Sequence, residues 1–260
     1  MDFLPADWLA LAGTTGSIMR ATIVVVRIGY RPWFRITIKW LNYYAWRHHH
    51  DVIVCNTPYW SEDELPRFRH AQNFGRIQKL GIGRYFGLYD RLLLVDDTCL
   101  ISPKAGDIVG MTPYGEIGAM LEDHLQKDYK KYLAFNKKLY KRKTMLGKDT
   151  FLNGGVLVLS REHSPIFDPD SIPWNTIAAD DYFPVQGYIS HQAEVLGFKV
   201  HDLGLEYNFC GSAILRNGPS PNLPDDVKIF HLTSALTLEQ RLAAASIIDD
   251  RFSKELNIKT

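Results

Sequence analysis

The 260-residue sequence predicts a single α/β domain, with a mostly parallel central sheet and flanking helices. Two observations carry this. Short β-branched runs, apolar on consecutive positions, recur along the chain, as strands buried on both faces of a parallel sheet require. Helical patterns lie between them, and strand alternating with helix is the mark of a doubly wound sheet. A chain of this length also buries a substantial core.

The elements follow in order. Residues 1–20 read as an N-terminal arm or helix. Met1 to Gly16 is mildly apolar through Phe3, Leu4, Trp8, Leu9 and Leu11, but Asp2, Asp7 and the lack of an early basic residue make it a poor signal peptide. Residues 21–260 form the domain proper. Thr22 to Ile28 is the first strand and Pro32 to Arg47 a helix, with Trp33, Ile36, Trp40 and Tyr43 or Tyr44 spaced by three and four. Val52 to Cys55 is a second strand. Pro66 to Tyr89 is helical, with breaks at Gly75, Gly81 and Gly83. Leu92 to Val95, Val156 to Leu159, Lys199 to Leu203 and Val227 to Leu232 are further strands, and Leu238 to Phe252 is a closing helix. A basic insert occupies residues near 123–150, where Lys130, Lys131, Lys137, Lys138, Lys141 and Arg142 interleave with Tyr129, Tyr132, Phe135 and Tyr140. It reads as a solvated helix face, a lid over an anionic acceptor, or a contact with a membrane surface.

Hydrophobic residues make up 46% and charged residues 23%, an ordinary globular balance. A net charge of +1 gives no electrostatic reason to expect a nucleic-acid partner. No apolar run approaches the roughly 18 residues of a membrane span. Cys55, Cys99 and Cys210 form no CxxC pair and no disulfide framework. The expected location is cytoplasmic, with peripheral membrane contact through the basic insert as the one departure.

Four Asp-Asp pairs occur, so the dipeptide alone means little. Asp96-Asp97 differs because it directly follows Leu92-Leu93-Leu94-Val95. Open α/β sheets bind ligands at the carboxyl ends of their strands. Two hard oxygen ligands there suit Mg²⁺ or Mn²⁺, which bridges a diphosphate and neutralises a leaving group. A response-regulator receiver needs a second Asp at the end of a strand some way on, and Asp149 precedes its strand instead. A haloacid-dehalogenase-type phosphatase needs Asp-x-Asp-x-Thr, and the sequence reads Asp96-Asp97-Thr98-Cys99. Gly81-Ile82-Gly83-Arg84-Tyr85-Phe86-Gly87 has the wrong spacing for a dinucleotide fingerprint, and His48-His49-His50 reads as a polar helix end.

Five segments in order resemble glycosyltransferases of the A fold, close to the glycogenin and lipopolysaccharide galactosyltransferase type of bacterial and viral enzymes. They are Ile23 to Phe34, Tyr89-Asp90-Arg91-Leu92-Leu93-Leu94-Val95-Asp96-Asp97-Thr98, Phe151-Leu152-Asn153-Gly154-Gly155-Val156, Gln186-Gly187-Tyr188-Ile189 and Ile229-Phe230-His231-Leu232-Thr233. The resemblance implies a Rossmann-like sheet and a metal-dependent hexosyltransferase using a UDP- or GDP-sugar donor and a glycan, lipid-linked or protein acceptor. It implies Mn²⁺ or Mg²⁺ held by Asp97 and His231, with Asp96 as a further metal or ribose contact. Val26, Arg27 and Tyr30 fall where the base is held, and Lys79 and Arg84 where the diphosphate is met. Asn153, Gly154 and Gly155 fall at the sugar, and Gln186 near the reacting carbon. Two positions depart from the pattern. Val95 stands where the first acid of Asp-x-Asp would fall, and Val185 where an acid precedes the Gln. Asp180, Asp181 and Glu122 are the candidates to replace the latter. The rival enzyme, a nucleotidyltransferase, wants a Gly-rich basic loop that Val26 to Trp33 does not supply. From another class, the two valines suit a sugar-nucleotide-binding module that has lost catalysis.

Overall fold

The computed structural model describes residues 19–68, 71–125, 129–172, 174, 177, 184–215 and 223–257. The first half of the chain runs β1 (Ala21–Val26), α1 (Phe34–His48), β2 (Asp51–Cys55), α2 (Ala71–Ile77), β3 (Arg91–Asp96), β4 (Cys99–Ile101), α3 (Ile108–Met111) and β5 (Ile117–Leu121). The second runs α4 (Tyr129–Leu139), β6 (Leu152–Ser160), α5 (Pro184–Val195), β7 (Val200–Asp202), β8 (Phe209–Cys210), α6 (Gly211–Ile214), β9 (Ile229–His231) and α7 (Leu238–Glu255).

The main sheet has the order β2-β1-β3-β6-β5-β7, and a small second sheet has the order β4-β9-β8. In the main sheet β1 runs parallel to β2 and β3, and β5 parallel to β7, while β6 is antiparallel to both neighbours. The predicted mostly parallel α/β sheet is therefore present, with one reversed strand in its middle. Consecutive apolar residues in β1 and β3 serve two cores, because successive side chains leave opposite faces. Val24, Val26, Leu92 and Leu94 pack with Leu80, Ile82 and Phe86 on one face. Ile23, Val25, Leu93 and Val95 pack with Leu41, Tyr44 and Ala45 of α1 on the other.

Several elements depart from the sequence expectation. Pro66 to Tyr89 is not one interrupted helix. It is a 3₁₀ turn at Pro66–Phe68, then α2, then a 3₁₀ stretch over Gln78–Gly87. Gly81 marks close packing there rather than a break, since a Cβ would lie 2.1 Å from Cδ2 of Tyr59. The sequence reading did not find β4, β5, β8 or α5. β5 lacks a β-branched run, and β4 and β8 are very short. β6 starts at Leu152 rather than Val156, which draws Asn153, Gly154 and Gly155 into the sheet.

The insert contributes a packed helix. Tyr129, Tyr132 and Tyr140 pack against Leu133, Met145 and Phe151, so only Phe135 of its four aromatics is largely exposed. Asn136 of α4 sits against Gly187 of α5, where a Cβ would lie 2.1 Å from its Oδ1. All but the end of the predicted N-terminal arm lies outside the described residues. Among the described residues no helix is long and apolar enough to cross a membrane. The three cysteines are buried free thiols.

Two of the other Asp-Asp pairs do structural work. Asp225 pairs with Arg251. Asp249 on α7 accepts from Trp40 Nε1 at 2.7 Å and from Lys39 Nζ at 2.7 Å, tying α7 to α1 beside the Trp40–Phe252 edge-to-face contact. Asp249→Ala leaves the buried indole N–H unpaired, so equilibrium urea unfolding should show a loss of about 1–3 kcal/mol. Asp250→Ala, on an exposed neighbouring position, should change stability by less than about 0.5 kcal/mol.

Candidate functional site

The strand order turns between β1 and β3, because β2 lies on the far side of β1. Open α/β sheets form a crevice at such a switch point. A cavity of ≈ 360 Å³ opens there, within the usual range for small-molecule sites. Asp96 closes β3 directly opposite Val26, the last residue of β1. β6 runs the other way, pairing Val156 with Val95, so Gly155 arrives beside Asp96.

Alternation along β3 decides which acid faces what. Leu92, Leu94 and Asp96 share one face of the strand. His231, in the middle strand of the small sheet, brings Nε2 to 3.3 Å from Asp96 Oδ2. Lys79 forms an ion pair with Asp96 Oδ1 and donates to the Gly154 carbonyl at 3.0 Å. Asp97 stands in the turn that follows β3. It accepts from Arg31 Nε at 3.1 Å, and its carbonyl accepts from Thr37 Oγ1 at 3.0 Å. His231, expected at the metal with Asp97 and Asp96, has its ion-pair contact with Asp96.

Behind this pair runs a chain of buried amides whose direction is set by backbone donors. The Gly155 N–H must donate, and it does so to Asn153 Oδ1 at 2.8 Å. Asn153 Nδ2 therefore faces Glu122, donating to Oε1 at 2.7 Å. Asn208 Nδ2 donates to the same Asn153 oxygen at 2.7 Å, which turns Asn208 Oδ1 toward His231 Nδ1 at 2.8 Å. His231 Nδ1 accordingly donates to Asn208, and Nε2 is the nitrogen presented to Asp96. The Gly154 N–H donates to Gln186 Oε1 at 3.1 Å, so Gln186 Nε2 donates to Glu122 Oε1 at 3.0 Å.

The charges follow from these contacts. Burial would raise Asp96, but Lys79 and the His231 hydrogen bond overcome it and hold the carboxyl at about 2. Burial and the charge of Asp96 push Asp97 up to about 6 against the pull of Arg31 and Lys79. Burial pushes Glu122 up to about 7, only partly offset by the Asn153 and Gln186 bonds.

Of the residues expected at the site, Val26, Lys79, Asp96, Asp97, Asn153, Gly154, Gly155, Gln186 and His231 line the cavity. Glu122 sits behind Asn153 and Gln186. Asn153 is nearly saturated by internal bonds, which removes it as a principal sugar contact. Gly155 makes room for the His231 ring, since a Cβ would lie 2.2 Å from its Cε1. Arg84 does not join the site: it is exposed, with its guanidinium 4.1 Å from the Tyr59 ring centroid. Tyr30 is 83% exposed and Arg27 turns to Asn56, so neither lines the cavity. Asp180 and Asp181 lie outside the described residues. Arg31, Trp33, Arg76, Thr98 and Arg241 line the cavity without having been singled out. Asn208, also missed, sits behind His231. Arg31 and Arg241 both lie over the Trp33 ring, 6.0 and 5.0 Å from its centroid. Arg31 and Trp33 stood in the Ile23 to Phe34 segment that resembled a binding turn.

A divalent ion would have to take Asp96, Asp97 and His231. These residues do not fit one as they stand. Asp96 is ion-paired with Lys79 and faces His231, although its buried Oδ1 has no hydrogen-bond partner among the described residues, and Asp97 is engaged by Arg31. Among the described residues no three His, Cys, Asp or Glu side chains are grouped to hold a metal.

The raised Glu122 carboxyl links stability to pH. Its folded value of about 7 lies above the ordinary 4.5. Its stabilising contribution is therefore full below the unfolded value and lost as pH rises through the folded one. Urea unfolding between about pH 5 and about pH 8 should show a loss on the order of 3 kcal/mol from this group. Glu122→Gln keeps an oxygen to accept both amide bonds and should remove most of that loss, leaving the smaller slope from Asp97. An unchanged slope would contradict the buried-charge account.

No protein-family model matches the sequence, and no curated protein matches it. Solved structures do. The WbbM bifunctional glycosyltransferase matches over 93% of this chain, with a TM-score of 0.56 and 12% identity; this chain spans 52% of that one, about half its length. The galactosyltransferase LgtC, solved with donor and acceptor sugar analogs, matches over 87% of this chain and 95% of its own, with a TM-score of 0.55 and 13% identity. A glycosyltransferase involved in the glycosylation of the major capsid of PBCV-1 matches over 88% and 99%, with a TM-score of 0.51 and 13% identity. At such identities the likeness establishes architecture, and with the strand order and the switch-point cavity it shows that this chain has the glycosyltransferase A fold.

Proposed function

We propose that the chain transfers a hexose from a UDP- or GDP-sugar to a glycan, lipid-linked or protein acceptor. The observation that carries this is the charge of the switch-point cavity. Among the described residues that line it, Arg31, Arg76, Lys79 and Arg241 stand with Asp96 and Asp97, four cations to two carboxylates. A cleft of that sign, at the carboxyl ends of parallel strands, suits the diphosphate of a nucleotide sugar. Trp33 also lines the cavity, and its buried indole N–H has no partner among the described residues. The matched structures are glycosyltransferases, which favours sugar transfer over other uses of the fold.

The chemistry follows from the residues. As the bond from the anomeric carbon to the diphosphate oxygen breaks, its electron pair stays on that oxygen, and cations already in place stabilise the charge. The acceptor hydroxyl oxygen bonds to the anomeric carbon, and its proton passes to the departing phosphate. Gln186 lines the cavity with one N–H and one lone pair beyond its bonds to Glu122 and Gly154, enough to hold a sugar hydroxyl. Glu122 is a positioning residue, fixing the amides of Gln186 and Asn153. The exposed Lys130, Lys131 and Lys138 of α4, the helix docked on α5, suit an anionic acceptor or a membrane surface that carries one.

A panel of UDP- and GDP-sugars, assayed for transfer and for donor hydrolysis, tests this. Gln186→Ala should lower kcat about 100-fold with little change in nucleotide affinity. A second reading, a binding module without catalysis, is favoured by buried Val185 at the cavity wall where the resembling family carries an acid. Thermal stabilisation by a nucleotide sugar with no turnover in any combination would select it.

A further inference from the structure

The two carboxylates at which a divalent ion is expected already face cations. Lys79 is paired with Asp96 and tethered to the Gly154 carbonyl, with its side chain only 12% exposed. Arg31 is paired with Asp97 and lies over Trp33. We propose that Lys79 and Arg31, with Arg76 and Arg241 beside them, neutralise the donor diphosphate, and that the site works without a divalent metal ion. This rests on the nucleotide-sugar reading above.

Charge supports it. Among the described side chains that line the cavity, cations outnumber carboxylates four to two. The linking diphosphate of a nucleotide sugar carries about two negative charges, which cations already in the cavity can face. A dication entering here would meet an acid pair that Lys79 and Arg31 have already neutralised, and an ammonium in the place it must occupy.

Ligand count supports it too. Hard dications want about six oxygen ligands and are held through several protein groups. Here the residue before Asp96 is Val95, fully buried in the opposite core, and Asp97, in the turn after β3, is paired with Arg31. One carboxylate therefore faces His231 where a metal site would bring two. Lys79 is also built in rather than adventitious. It leaves the 3₁₀ stretch between buried Gln78 and Leu80, and its ammonium is held by a carboxylate and a main-chain carbonyl. Such a group meets developing charge with little reorganisation.

Calorimetric titration of UDP and GDP into protein stripped with EDTA, repeated with Mn²⁺ and with Mg²⁺, tests the proposal, with donor turnover followed alongside. For whichever nucleotide binds, the affinity should differ by less than about threefold between EDTA and metal, and turnover should persist in EDTA. Lys79→Met should weaken binding in EDTA at least about tenfold. Should that variant fail to fold, Arg31→Gln gives the same reading from the other pair. Asp96→Asn removes the competitor for Lys79 and should tighten binding severalfold, whereas a metal site would lose binding. Binding that appears only with metal, or is lost in Asp96→Asn, overturns the proposal and leaves the nucleotide-sugar reading standing. If neither nucleotide binds with or without metal, the nucleotide-sugar reading fails and takes this proposal with it.

Discussion

Two adjacent carboxylates stand at the buried end of β3, and the surrounding structure is arranged to compensate them. An ionised group taken out of water is costly unless it is paired and hydrogen-bonded. Asp96 and Asp97 stand side by side with different charged partners. Asp96 draws in Lys79 from the 3₁₀ stretch and His231 from the small sheet. Asp97 draws in Arg31 from the β1–α1 connection, and its main-chain carbonyl accepts from Thr37 of α1. Four separate segments are thereby tied to one strand end, and the same groups form the cavity wall. The electrostatics that makes the fold tolerable at this point also gives the site its charge.

The amide chain behind the acids turns this pairing into a positioned site. Its direction is anchored by two main-chain donors, Gly154 and Gly155, that cannot be reversed. From them the orientation of Asn153, Asn208 and Gln186 and the donor role of His231 Nδ1 follow one after another. A network of this kind holds its members only if all are satisfied. Gly155 serves it twice, through its N–H and through the missing Cβ that lets the His231 ring lie against the strand. Glu122, buried with amide donors and no cation among its named partners, is the member whose ionisation strains the network.

Cationic side chains reach the cavity from positions far apart in the chain. Trp33 gathers two of them, since the guanidiniums of Arg31 and Arg241 lie over its ring. Such contacts limit the motion of a long side chain and so reduce the ordering cost when a ligand arrives. The basic insert works differently. Most of its aromatics are consumed in its own small core and in docking α4 onto α5, which leaves its lysines, rather than its rings, at the surface.

The amino-acid sequence alone determined the α/β class, the main buried strands and the site's place at the end of β3. Those are local properties: strands buried on both faces need runs such as Leu92 to Val95, and ligands gather where such strands end. Short strands such as β8, and β5 with its Gly118 and Ala119, had no local signature because tertiary pairing makes them. Which acid faces His231 was decided by the side-chain alternation of β3 against a second sheet. The donor role of His231 Nδ1 depended on Asn208, a residue with no motif around it. Arg31, Arg76 and Arg241 meet only because the β1–α1 turn, α2 and α7 converge on one crevice. Convergence of that kind depends on packing between distant segments, and no window along the chain contains it.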